Sequence, residues 1–66
     1  MRVNLIRLRK KKKYTQQQMA DKLNIARSTY AGYEKGTFYP SFEKVLEIKK
    51  ILGTKNDDIF LIFKDS

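Results

Sequence analysis

Arg2, Arg7, Arg9, Lys10, Lys11, Lys12 and Lys13 place seven positive charges ahead of the first acid, Asp21. The 66 residues hold fifteen Lys and Arg against seven Asp and Glu, a formal charge of +8, so beyond Lys13 the two signs nearly cancel. Cations at this density are suited to binding a polyanion. Nucleic acid comes first, an anionic membrane surface second, and a solvated basic helix end is the bland alternative. The chain has neither His nor Cys. Nucleophilic and general-base chemistry most often draws on those two residues, which are also the usual zinc ligands, so no enzyme, metal centre or cofactor is expected. Without cysteine there is no disulfide scaffold. No apolar stretch approaches the roughly 18 residues of a membrane span, and none follows the basic start as in a signal peptide. A cytoplasmic binding protein is the expectation.

The elements that must hold these charges are short. A chain of this length makes one domain, residues 1–66, that buries only about 60% of the surface its unfolded form exposes. Leu5, Ile6 and Leu8 lie at helical spacing and predict a first helix over Val3 to Lys12. Its last turn carries the lysine run, where cations also complement the helix dipole. Thr15 followed by Gln18 is a capping-box pattern that opens a second helix to about Leu23, with Met19, Ala20 and Leu23 on one face. Asn24 tolerates the left-handed conformation common at a helix end, so a tight turn follows with Ile25 tucked inward.

A third helix is predicted from Arg27 to Lys35, stopping at Gly36. Tyr30 and Tyr33 share one side, whereas Ser28, Ala31, Gly32 and Lys35 share the other. A small or cationic outer face is what a helix needs if its backbone must come close to something large. Pro40 disfavours helix at Tyr39, and Ser41 caps a fourth helix whose apolar stripe is Phe42, Val45, Ile48 and Leu52, widened by Leu46 and Ile51 and ended by Gly53. Thr54 is the predicted cap of a last short helix bearing Asp57 and Asp58. Ile59, Phe60, Leu61, Ile62 and Phe63 read as strand-prone. Extended, that run would be greasy on both faces, and a second subunit is its simplest cover. Residues 60–66 are therefore expected to form a dimerisation tail; the alternative is a tail folded back over helices one and four.

Leu8-Arg9, Thr15-Gln16, Met19-Ala20, Leu23-Asn24-Ile25, Arg27-Ser28-Thr29, Tyr33-Glu34-Lys35-Gly36, Pro40-Ser41 and Asp58-Ile59-Phe60 together carry a resemblance. From about Leu5 to Phe60 the chain resembles the Cro and phage-repressor type, XRE-like, of helix-turn-helix family. The resemblance implies an all-α fold, a compact five-helix lambda-repressor-like domain, with a small terminal β-sheet in some small members. It implies that the third helix enters the major groove with Arg27, Ser28, Ala31 and Gly32 toward base edges, Arg27 being suited to guanine O6 and N7. Gln16, Gln17, Thr29, Lys35 and Tyr39 would meet the DNA backbone. Arg9 and Glu34 would form a structural ion pair, and Val3 would join Phe60, Leu61, Ile62 and Phe63 at a two-fold interface. Ordinary solvated surface is the competing account of Arg27, Gln16 and Gln17. The chain departs from the pattern at Ala26 for a Ser or Thr cap, Gly32 for a polar reader, Lys13 for a turn glycine and Lys49 for a small apolar residue.

The function so implied is a sequence-specific DNA-binding transcriptional regulator, bacterial or phage-encoded and nucleoid-associated. It would be a repressor that binds a palindromic operator as a homodimer. A protein-interaction module, such as an antitoxin or anti-repressor with a protein partner, is the competing class. Membrane-surface binding through residues 2–13 is disfavoured because that helix needs its apolar stripe for the core.

Overall fold

The computed structural model describes residues 1–62. Four α-helices, α1 (Val3–Lys11), α2 (Gln16–Leu23), α3 (Arg27–Lys35) and α4 (Phe42–Leu52), precede a 3₁₀ helix at Asp57–Phe60. Their boundaries follow from local chemistry. The Thr15 hydroxyl accepts from the Gln18 amide at 3.0 Å while the Gln18 side chain accepts from the Thr15 amide at 2.8 Å, a closed capping box. Asn24 ends α2 in the left-handed region at φ 56°, and the Lys44 ammonium donates to the Leu23 carbonyl at 2.6 Å. Ser41 Oγ accepts from the Lys44 amide at 3.2 Å to start α4. Ala26 offers α3 no side-chain cap. Lys13, between α1 and α2, holds φ 63°, a left-handed conformation that costs a residue with a Cβ roughly 1–2 kcal/mol.

The core gathers Leu5 of α1, Met19, Ala20 and Leu23 of α2, Tyr30 and Tyr33 of α3, and Ile48 and Leu52 of α4. Ile59 and Phe60 complete it. The Tyr30 and Tyr33 rings meet edge to face, 6.2 Å apart. In α4 the inward stripe is narrower than its sequence suggests. Phe42 is 76% exposed and Leu46 50%, one turn apart on the side away from the core.

The C-terminal expectations need correction. Asn56, not Thr54, caps the last helix: its side-chain oxygen accepts from the Asp58 amide at 3.1 Å, and Thr54 Oγ1 accepts from the Asn56 amide. Once that turn starts, Ile59 and Phe60 wind into it and both enter the protomer's own core instead of alternating across a strand. Phe60, 6% exposed, is thus a residue of the chain's own core, where an exposed tail residue was expected. No strand occurs among the described residues. Leu61, extended, and Ile62 follow with exposed side chains, and the expectation for Phe63 lies outside the described residues.

Candidate nucleic-acid interface

The three residues Asn24, Ile25 and Ala26 join α2 to α3 and turn the start of α3 toward the N-terminus of α2. A cleft of about 430 Å³ opens beside this corner, lined by Arg9, Lys10, Lys13, Tyr14, Thr15, Gln16, Gln17 and Arg27. Four of these side chains are cations and none is an acid. The Gln16 and Gln17 amides have no carbonyl of an earlier turn to bond, so the cleft combines N–H donors, the positive end of a helix dipole and the exposed cations Lys10, Lys13 and Arg27 beside a charge-paired Arg9. An anionic oxygen is its natural occupant.

One wall of the cleft is fixed by a buried network. Arg9 Nε and Nη2 donate to Glu34 Oε2 and Oε1 at 2.6 and 3.3 Å, and Arg9 Nη1 donates to the Tyr14 carbonyl at 2.9 Å. Gln16 Nε2 donates to Glu34 Oε1 at 2.9 Å. The bond to Glu34 raises the affinity of the Arg9 guanidinium for its proton, more than burial opposes it. Tyr30 Oη is buried in the same place with no hydrogen-bond partner among the described residues, and burial first, then Glu34, pushes this phenol well above its ordinary range. Gln16 retains a second side-chain N–H and its backbone amide for a ligand. Gln17 donates instead to Asp21 Oδ1 at 2.9 Å along the exposed side of α2.

On α3, Arg27, Ser28 and Lys35 are exposed, and Thr29 and Ala31 are half-buried. Gly32 is not open, contrary to the sequence reading. The Phe38 ring lies over it so closely that a Cβ at this position would meet Phe38 Cδ2 at 2.3 Å and Cε2 at 2.6 Å. The loop folds back because the Gly32 carbonyl accepts from the amides of Gly36, Thr37 and Phe38 at 3.0, 2.9 and 3.3 Å. Tyr39 is exposed and packs beside Phe60, with ring centroids 6.1 Å apart.

Sequence reasoning missed Arg2, which it counted among the surface cations. Arg2 is 2% exposed. Its Nε donates to the Phe60 carbonyl at 3.0 Å, and Nη1 donates to the Tyr33 and Phe38 carbonyls at 2.5 and 2.7 Å. Its guanidinium carbon sits 5.1 Å from the centre of the Tyr39 ring. Burial lowers its hold on the proton. Nothing in the neighbouring sequence separates this arginine from Arg7. Of the expected interface residues, Val3, Leu61 and Ile62 are exposed, and Ile62 also rests on the α3 end at Gly36.

Two helices joined by a tight turn, with a cationic cleft beside the free face of the second, define a helix-turn-helix domain. The helix-turn-helix family HTH_3 matches residues 5–59, and the chain belongs to this XRE-like family, which is not an enzyme family. It is 46% identical over 54 residues to the uncharacterized HTH-type transcriptional regulator YqaE of Bacillus subtilis, covering 82% of this chain and 47% of that protein. The HTH-type transcriptional regulator AnsR of the same organism is 46% identical over 55 residues, 83% of this chain and 47% of its own. An uncharacterized HTH-type transcriptional regulator of Methanocaldococcus jannaschii is 39% identical over 51 residues, 77% of both chains. The chain spans about half the length of the two Bacillus relatives. No solved structure matches it. Among the described residues no helix is long and apolar enough to cross a membrane, and no cluster of acidic residues could hold a metal ion.

Proposed function

We propose that the chain binds double-stranded DNA as a transcriptional regulator, with α3 in the major groove and the cleft at the α2 N-terminus on a backbone phosphate. The cleft carries this reading: Lys10, Lys13 and Arg27 and the first amides of α2 stand together beside the exposed start of α3. In this arrangement Arg27 and Ser28 face base edges with Ala31 behind them, while Gln16, Lys13 and Lys10 position the backbone. Thr29, Lys35 and Tyr39 flank the groove. Relatives named as transcriptional regulators support the same assignment. Repression by occupying a palindromic operator as a homodimer is the finer reading, with exposed Val3, Leu61 and Ile62 at the two-fold contact.

Titration against random-sequence duplex at low salt, repeated as salt is raised, tests the proposal. Nonspecific binding that weakens with a log–log slope of order −7 is expected for a dimer neutralising about eight phosphates. A slope near zero, or no binding, removes the DNA reading and leaves a protein-binding module, for which exposed Phe42 and Leu46 supply an apolar surface.

A further inference from the structure

Gly32 follows Ser28 by four residues, so the two lie one above the other on the outer face of α3. A Cβ at position 32 would clash with the Phe38 ring where it lies, so the ring occupies the place that a side chain here would take. The side chain presented at this point of the outer face therefore comes from the following loop. That ring stays 50% exposed, and no aromatic stacking partner is found for it among the described residues. Its backbone is fixed on both sides of the residue: the amide donates to the Gly32 carbonyl, and the carbonyl accepts from Arg2. Tyr39, next in sequence, turns the other way and packs beside Arg2 and Phe60.

We propose that Phe38, borne on Gly32 and held by Arg2, is a specificity-determining residue that reads the C5-methyl group of a thymine in the major groove. This inference rests on the DNA reading above. An uncharged ring cannot hold a phosphate or bond a base edge, and apolar contact with thymine methyl is the form of major-groove readout open to it. With the backbone of Phe38 held before binding, only the side-chain torsions of the ring remain to be ordered on contact.

The experiment begins with the best duplex selected from a random pool. Each thymine is replaced singly by uracil, which deletes only the methyl group, and affinity is measured for the wild-type chain and Phe38→Ala. At one position per half-site, loss of the methyl should weaken wild-type binding about three- to five-fold, the worth of one buried methyl, and should leave Phe38→Ala unaffected. As a check that needs no variant, 5-iodouracil at that position should photo-crosslink to Phe38. A uracil scan without a sensitive position, equal sensitivity in a folded Phe38→Ala, or cross-linking elsewhere or not at all would overturn the Phe38 assignment while leaving DNA binding intact. Failure to bind any duplex would overturn both.

Discussion

The Arg9 guanidinium holds the Glu34 carboxylate at two points across 25 residues of sequence, and the Glu34 side chain is only 2% exposed. This pair ties the last turns of α1 to those of α3 and fixes one wall of the cleft. Removing the acid would strand a guanidinium with 11% of its side chain exposed. Glu34→Ala should cost about 3 kcal/mol, as for other broken buried pairs, against less than about 0.5 kcal/mol for exposed Glu43→Ala. Equal shifts in the urea midpoint of the two variants would show that the pair contributes nothing.

Tyr30 Oη lies beside that pair without a hydrogen-bond partner among the described residues. Tyr30→Phe should therefore leave stability unchanged or raise it by up to about 1 kcal/mol. Because burial holds the folded-state phenol neutral above the unfolded tyrosine value of about 10, this group leaves stability unaffected below that value and lowers it as pH climbs above it. The phenylalanine variant should lose less stability between pH 9 and 11, measured as denaturant midpoints at each pH. Identical alkaline profiles would refute the assignment.

At Lys13 backbone and charge pull in opposite directions. Lys13→Gly relieves a positive φ and should stabilise the fold by about 1 kcal/mol. The same change removes a cleft cation and should weaken DNA binding, making the salt slope shallower by about 0.9 for each subunit bound. Thermal melts and salt titrations read the two effects separately; a change in the same direction in both would contradict this division.

Arg27→Ala and Gln16→Ala should differ in kind. The arginine variant should relax preference at one base pair by about 1–3 kcal/mol, whereas the glutamine variant should weaken binding about evenly across sequences. Site selection with each variant makes the comparison. An unchanged preferred site for Arg27→Ala would mean that α3 sits in a different register.

A chain ending at Phe60 keeps its core and removes exposed Leu61 and Ile62. If the tail makes the two-fold contact, sedimentation equilibrium should show a dimer for the full chain at tens of micromolar and a folded monomer for the shortened one. Dimerisation of equal strength in both would move the interface elsewhere.

Helix positions were legible because the signals that set them are local. Thr15 with Gln18, Asn24, Ser41 and the glycines at 36 and 53 act within a turn of where they stand. What sequence periodicity misread depends on contacts between distant segments. The apolar run after Asp58 gave no sign that a 3₁₀ turn would bury Phe60, because that outcome depends on Arg2 and Tyr39 arriving from elsewhere. Gly32 looked open for the same reason: the ring that covers it belongs to a loop that the spacing of α3 cannot describe. Phe42 and Leu46 fit a helical stripe, yet a small domain buries only part of one.

The Arg2 guanidinium bridges separations of 31, 36 and 58 residues. Contacts over such spans close large loops, and their entropic cost is met only after most of the chain is already in place. The capping box of α2 and the turn between α2 and α3 can assemble early, while the clasp on Tyr33, Phe38 and Phe60 closes late. Interactions made after the folding barrier govern how fast a protein opens more than how fast it forms. Arg2 should therefore serve as a kinetic latch, bearing chiefly on how often the Phe38 loop and the 3₁₀ segment come undone together.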